Sequence, residues 1–174
     1  MLRPAQLYKE QLEIKNIENW YKSENIFYHG GTGEYAIDVP DNNGKYHCFV
    51  SVDKEDNVIG FISYTAHWDS MSAENFGIIS FEKGNQTFVE DIYHVVCDCF
   101  YKFHFNRISW NCYADNPAIR GYRNFIKKCG GRECGYFRQH IKLKDGKLHD
   151  SVFFEILAEE FQIDLKHKEV FYEK

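Results

Sequence analysis

The chain has 174 residues, with 21 Lys and Arg against 26 Asp and Glu, which gives a formal net charge of −5 at pH 7. This length fills one hydrophobic core, and an aromatic content of 17% is more ring surface than a disordered chain carries. The negative charge argues against a nucleic-acid binder held by phosphate contacts, because such proteins need an excess of Lys and Arg. No segment reaches the roughly 18 to 20 apolar residues of a membrane span, and the N-terminus has no secretory pattern, so we expect a cytoplasmic protein.

The cysteines and histidines do not form a recognisable disulfide or metal pattern. The spacing of the six cysteines is unlike that of a small secreted domain, so we expect reduced thiols. Cys97 and Cys99 lie near His94 and His104, but residues two apart in a helix face different directions. We therefore expect no metal site.

The first part of the chain favours helix. Residues 5–23 carry apolar side chains at spacings of three to five, which predicts one or two amphipathic helices. Gly30-Gly31-Thr32-Gly33 follows. A phosphate loop lies between a strand and the start of a helix, and this motif has neither neighbour, so we do not assign it a phosphate-binding role.

The remaining elements alternate between strand and helix. Residues 46–52 and 58–68 are β-rich runs around a polar turn, which predicts an antiparallel hairpin, and a third strand is expected at 75–81. Apolar residues three and four apart predict a buried helix over 87–105, followed by a strand at 107–113. Asp115, Asn116 and Pro117 are typical of a helix start, which predicts a helix over 117–128. Strands at 132–143 and 148–157, joined by Asp145-Gly146, complete a final hairpin.

This order of elements restricts the topology. A strand, a long helix and a second strand of similar length form a right-handed crossover. We therefore expect the strands at 75–81 and 107–113 to be parallel neighbours in an otherwise antiparallel sheet. The helix at 87–105 then begins at the carboxyl end of its strand, where α/β folds bind ligands and where free N–H groups attract phosphate.

Three segments of the chain match the motifs of a known family. They are Asn106-Arg107-Ile108 with Tyr113-Ala114-Asp115-Asn116-Pro117; Ala118-Ile119-Arg120-Gly121-Tyr122; and Arg138-Gln139-His140-Ile141 with residues 145–152 and 157–161. They resemble the GCN5-related N-acetyltransferase superfamily, and within it the ribosomal-protein alanine N-acetyltransferases. The resemblance implies an α/β (α+β) fold with a mixed, mostly antiparallel sheet of about six to seven strands, one parallel pair, and helices on both faces. It covers residues 1–161 as a single domain and leaves 162–174 as a C-terminal tail.

The resemblance implies that acetyl-CoA is the cosubstrate, and the expectation of no metal follows from the cysteine and histidine spacing above. The family's phosphate loop reads Gln/Arg-x-x-Gly-x-Gly/Ala, and only Gly84 matches it within residues 81–86. Backbone N–H groups and the helix dipole would attract the pyrophosphate there. The residues expected to contact the cofactor are Ile79, Phe81, Lys83, Gly84, Asn85, Gln86, Thr87, Asn116, Arg120 and Arg123.

The resemblance also assigns the chemistry, which is direct transfer of an acetyl group to an amine. Tyr122 matches the family tyrosine that donates a proton to the departing thiolate, and a phenol with a pKa near 10 suits that task. The base is less well specified. Glu74, at the start of the expected strand, is our candidate, and Asp69 and His67 are alternatives.

Charge is distributed unevenly along the chain. Residues 120–147 carry nine Lys and Arg against Glu133 and Asp145, a local charge of +7 that leaves −12 for the remainder. The tract is interpreted as a phosphate-binding edge or as a solvated face. The acidic remainder favours a cationic acceptor, such as a small-molecule amine or a peptide N-terminus.

Two other functions remain open from sequence alone. The incomplete phosphate loop is compatible with a non-catalytic acyl-CoA-binding or regulatory module on the same fold, and the basic tract with its aromatic residues is compatible, more weakly, with RNA binding. A homodimer is a further hypothesis, because apolar residues are concentrated near the C-terminus. These residues are Val152, Phe153, Phe154, Phe161, Phe171 and Tyr172.

Overall fold

The computed structural model describes residues 1–27, 37–41 and 44–163. The motif Gly30-Gly31-Thr32-Gly33 and most of the expected C-terminal tail, from residue 164 onward, lie outside the described residues, as do Phe171 and Tyr172.

Seven strands and three α-helices make up the described part of the chain. The strands are β1 (Leu2–Pro4), β2 (Tyr46–Val52), β3 (Val58–His67), β4 (Ser72–Ser80), β5 (Arg107–Tyr113), β6 (Arg132–Lys142) and β7 (Leu148–Leu157). The α-helices are α1 (Lys9–Trp20), α2 (Gln86–Cys97) and α3 (Ile119–Cys129). Short 3₁₀ turns flank α1, at Ala5–Tyr8 and Ser23–Asn25, and a π-helical turn, Asp98–Lys102, extends α2.

The strands form one sheet in the order β1-β2-β3-β4-β5-β7-β6. β4 and β5 are parallel, and the other neighbouring strands are antiparallel. The predicted parallel neighbours and the predicted mixed sheet are therefore confirmed.

Several boundaries differ from the expectation. The helix predicted over 87–105 is α-helical over Gln86–Cys97 and ends with the π-helical turn Asp98–Lys102, and the helix predicted over 117–128 begins at Ile119. Residues 2–4 form β1, a short edge strand on β2 that carries no period-2 pattern of its own, and the α-helix begins only at Lys9. The third predicted strand begins earlier than expected, at Ser72, because the turn before it is completed by Met71 with φ of 48°.

Helices cover both faces of the sheet. On one face Ala5 and Leu12 pack on Val50 and Phe61 in a smaller core. On the other face α2 and α3 pack on β3, β5 and β7 in the main core. Phe88 of α2 lies directly over Gly60 of β3, where a Cβ would come within 2.2 Å of the phenyl ring. Gly60 therefore sets how closely α2 approaches the sheet.

The parallel pair is joined only at its beginning. Ser72 aligns with Arg107 and Ala73 with Ile108, and beyond these residues the two strands separate toward their carboxyl ends. β4 also contains a bulge, since Thr65 aligns with Glu74 and Ser63 with Gly77, which gives β4 one extra residue. Asn75, inside the bulge, has φ of 56°. Bulges bend a strand and increase its twist, so this one directs β4 away from β5.

Candidate functional site

A cleft of about 510 Å³ lies between the separated strands and is flanked by α2 and α3. Both helices follow the carboxyl ends of their strands, so both begin at the open end of the cleft. The side chains of Phe76, Ile78 and Ser80 line it from β4. This is the position that the sequence predicted for a ligand site.

The N-terminus of α2 borders the open end of the cleft. Asn85 caps the helix: its Oδ1 accepts a hydrogen bond from the backbone N–H of Phe88 at 3.2 Å, and its Nδ2 donates to Glu82 Oε2 at 2.8 Å. Gly84 adopts φ of 71°, which favours glycine, although a Cβ there would meet nothing within 4 Å. Gly84 and Asn85 line the cleft, whereas Lys83, Gln86 and Thr87 are exposed beside it and are not among the lining residues.

Tyr122 lies on the first turn of α3 and lines the cleft. Its ring is half-buried against Trp110 and Phe154, with centroids 6.0 Å from each. Burial, with a smaller contribution from the Cys112 thiol, raises the pKa of Tyr122. The phenol therefore stays protonated at neutral pH, which suits a proton donor better than a base.

Further residues of α3 face the cleft. Gly121, Asn124 and Phe125 line it, and so does Lys128, which the sequence placed in the basic tract as a candidate for the phosphate-binding edge. Asn124, Phe125 and Lys128 lie three, four and seven residues after Gly121, which places all four on one face of the helix. This helical spacing is the sequence signal by which they could have been identified. At Gly121 a Cβ would meet nothing within 4 Å, so the helix leaves space there.

Arg120 and Arg123, the α3 residues proposed for the cofactor, are exposed and do not line the cleft. Arg123 Nε donates to Glu133 Oε1 at 2.6 Å. Other members of the basic tract also have partners on the protein: Arg132 pairs with Glu155 at 2.8 Å, and Lys144 Nζ donates to the backbone oxygen of Trp20. Three of the nine basic residues of the tract therefore have partners on the protein itself, and Lys128 lines the cleft.

Glu74, the proposed base, is already engaged. Its Oε1 accepts from Arg107 Nη2 at 2.5 Å and from Ser72 Oγ at 3.0 Å. Burial raises the pKa of Glu74, but these hydrogen bonds and the Arg107 charge outweigh it and lower the pKa overall. Glu74 does not line the cleft, and the alternatives Asp69 and His67 lie in or beside the turn that precedes β4.

The remaining proposed residues lie around the cleft without lining it. The side chains of Ile79 and Phe81 pack into the smaller core on the opposite face of the sheet, which leaves only their backbone to contact a ligand in the cleft. Asn116 Oδ1 accepts from the backbone N–H of Ala118 at 2.9 Å, so the amide helps to start α3.

The sequence did not predict a role for His149, a buried histidine at the start of β7. His149 Nδ1 lies 2.7 Å from Asp115 Oδ2, and its Nε2 lies 3.1 Å from Asp145 Oδ1; we call these three residues the His149 cluster. Burial lowers the pKa of His149, but the hydrogen bonds and charges of the two carboxylates outweigh it, so the pKa is raised. The centroids of the His149 and Phe27 rings lie 6.0 Å apart. The cluster joins the loop before α3 to the turn between β6 and β7.

Several global expectations can be compared with the described residues. The six cysteines are free thiols, and within residues 1–27, 37–41 and 44–163 no three His, Cys, Asp or Glu side chains are arranged so that they could hold a metal ion. In the same ranges no helix is long and apolar enough to cross a membrane. Val152, Phe154 and Phe161 are buried in the main core, so they are not available for the proposed homodimer interface.

The fold is similar to that of several solved N-acetyltransferases. The spermidine N-acetyltransferase from Vibrio cholerae, in complex with CoA and spermine, is 20% identical over 92% of this chain and 96% of that chain, with a TM-score of 0.67. A GCN5-related N-acetyltransferase from Brucella melitensis is 20% identical over 91% of this chain and 76% of that chain, also with a TM-score of 0.67. No protein-family model and no curated protein sequence matches the chain.

These likenesses confirm the predicted fold. The chain has the fold of the GCN5-related N-acetyltransferases, with a seven-stranded mixed sheet, one parallel pair and helices on both faces.

Proposed function

We propose that this chain, which has the fold of the GCN5-related N-acetyltransferases, is an acetyl-CoA-dependent N-acetyltransferase that acts on an amine by direct transfer. The observation that carries the proposal is the cleft between β4 and β5, which has Tyr122 on its wall and the N-terminus of α2 at its mouth. Fold alone does not determine function, whereas this combination would supply both an anion site and a proton donor.

The residues at the mouth fit the phosphate end of coenzyme A. Asn85 satisfies the N–H groups of Phe88 and Val89 through its side chain and its backbone oxygen, at 3.2 and 3.3 Å. The N–H groups of Gln86 and Thr87 precede these in the first turn, where helix geometry provides no internal acceptor. They are the groups that would hold a pyrophosphate.

Acetyl-CoA supplies the thioester. The nitrogen lone pair of a neutral amine attacks the thioester carbon, the carbon–sulfur bond breaks, and its electron pair stays on sulfur. Tyr122 donates its proton to that sulfur, and the amine loses a proton to solvent or to a base.

The bulge in β4 offers a candidate hydrogen-bond donor to the thioester carbonyl oxygen. At Asn75 and Phe76 the backbone of β4 departs from its regular pairing with β3, next to the cleft, so its N–H groups are candidate donors. Glu74 remains a proposed base, acting through water, although its ion pair with Arg107 makes it a weak one.

The acceptor is proposed to be a small-molecule amine, with a protein N-terminus as the alternative. The structural likeness to spermidine N-acetyltransferases supports the former. The resemblance of residues 138–152 to the ribosomal-protein alanine N-acetyltransferases supports the latter.

Calorimetry with coenzyme A and free-thiol release over a panel of amines test the proposal together. We expect binding and release of thiol with at least one primary amine. If coenzyme A binds but no amine releases thiol, the chain is a non-catalytic module; if it does not bind at millimolar concentration, the proposal is wrong.

Replacement of Tyr122 by Phe tests the assigned role. It should lower kcat by about 10²–10⁴-fold and change KM little, because the ring packing is kept and only the donor is lost. Tyr101→Phe is the matched control, since Tyr101 is a partly exposed tyrosine that does not line the cleft. An unchanged kcat in Tyr122→Phe would remove Tyr122 from the mechanism.

A further inference from the structure

The cleft continues past Tyr122 toward the closed end of the strand pair. The two helices run back from the open end toward the paired beginnings of β4 and β5. Tyr122 lies on the first turn of α3, and Lys128, six residues later, still lines the cleft. At a rise of about 1.5 Å per residue, the cleft extends about 9 Å along α3 beyond Tyr122.

The part beyond Tyr122 is apolar and mostly buried. Val96 of α2, Ile108 and Trp110 of β5 and Phe125 of α3 line it, and the first three are only 4%, 1% and 6% exposed. Tyr93 of α2 meets Phe125 edge to face at 5.2 Å, so aromatic rings connect the two helices at this depth. Lys128 is the one charged side chain among the described residues that line the cleft.

We infer that this inner channel, lined by Tyr93, Val96, Ile108, Trp110 and Phe125, holds the acyl group of a donor longer than acetyl. The inference rests on the proposed function, because it takes Tyr122 to mark the position of the thioester sulfur. The part of the cleft between the N-terminus of α2 and Tyr122 is then filled by the pantetheine arm. An acetyl group has one methyl to place in the space beyond, whereas a straight chain of about six carbons would bury its apolar surface along a channel of this kind.

The dissociation constants of coenzyme A, acetyl-CoA, hexanoyl-CoA and decanoyl-CoA provide the test. Each fully buried methylene strengthens binding roughly fourfold, equivalent to about 0.8 kcal/mol. Hexanoyl-CoA carries four more methylenes than acetyl-CoA, so even partial burial should strengthen its binding at least tenfold. Decanoyl-CoA should gain no further, because its chain is longer than the channel.

Two valine-to-phenylalanine substitutions distinguish the role of the inner channel from that of the cleft mouth. Val96 and Val89 both line the cleft from α2 and are seven residues apart, so they share one face of the helix. Val96→Phe should remove the preference for hexanoyl-CoA and leave acetyl-CoA binding within about threefold, because the ring fills only the inner channel. Val89→Phe, at the exposed mouth, should affect the four ligands alike.

The outcomes distinguish the two proposals. If coenzyme A binds and hexanoyl-CoA binds no more tightly than acetyl-CoA, the inference about the donor is overturned and the proposed function stands. If coenzyme A does not bind, the proposed function fails first. The series on the unsubstituted protein decides the matter even if Val96→Phe does not fold.

Discussion

Gly121 offers a substitution that separates binding from stability. It lies on α3, lines the cleft, and is helical with no positive φ. A Cβ at this position would meet nothing within 4 Å. A larger side chain therefore enters the cleft without disturbing the packing of the folded chain, which few cleft positions allow.

The expected effects on stability and on coenzyme A binding have opposite signs. Glycine inside a helix is about 0.5–1 kcal/mol less favourable than alanine, so Gly121→Ala should stabilise the protein by that amount. For a chain of this length the melting temperature should rise by about 2–4 °C per kcal/mol. Gly121→Leu should keep most of this gain, because leucine is also a good helix former. Its side chain occupies space next to Tyr122 and should weaken coenzyme A binding more than tenfold.

Thermal melting and calorimetry are measured on both variants, with Lys127→Leu as the control. Lys127 is an exposed residue of α3 that does not line the cleft, so the control adds the same side chain elsewhere on the helix. If Gly121→Leu melts no lower than the unsubstituted protein and binds coenzyme A with unchanged affinity, coenzyme A does not occupy this cleft.

Three further predictions follow from contacts elsewhere in the structure. Gly60→Ala should cost about 1–3 kcal/mol of stability in denaturant unfolding, because the new methyl overlaps the Phe88 ring, and the cost should shrink when Phe88 is also replaced by Leu. Because the pKa of His149 is raised, its ion pairs contribute fully below pH about 6.5 and are lost as the pH rises through the folded-state pKa. As the pH rises from about 6.5 through the folded-state pKa, the melting temperature of the unsubstituted protein should therefore fall more steeply than that of His149→Gln. Parallel melting-temperature profiles for the two proteins would refute this. Glu82→Gln should strengthen coenzyme A binding about two- to fivefold by removing a negative charge beside the N-terminus of α2, and weaker binding would refute that repulsion.

The order of elements and the parallel pair were predictable because they follow from local patterns. The alternation in residues 107–113 gives β5 its observed bounds, and the crossover rule then places β5 beside β4. β1 was not predictable in the same way. Three residues ending at Pro4 have no period of their own, and they become a strand only because β2 offers a free edge.

The candidate site was predictable in part, for a related reason. Tyr122 could be placed on the cleft from its resemblance to a family motif. The partners of Arg123 and Glu74 could not, because Glu133 and Arg107 are 10 and 33 residues away and only the folded chain brings them together. Long-range ion pairs of this kind decide which charged residues are free to meet a ligand, and a local motif carries no information about them.

The incomplete phosphate loop keeps the backbone features that the proposed coenzyme A binding would use. In the family motif the glycines allow backbone N–H groups to approach the pyrophosphate. Here Gly84 keeps the positive φ that turns the chain into α2, and the side chain of Gln86, at the last motif position, is exposed. An outward side chain leaves the backbone N–H of the first turn in place, and the helix dipole does not depend on the side chain at all. The change that matters electrostatically is Glu82, whose carboxylate holds the capping Asn85. If the chain binds coenzyme A as proposed, the loop should hold it more weakly than the full motif would, and the aromatic cleft behind the loop would supply apolar contact that offsets the difference.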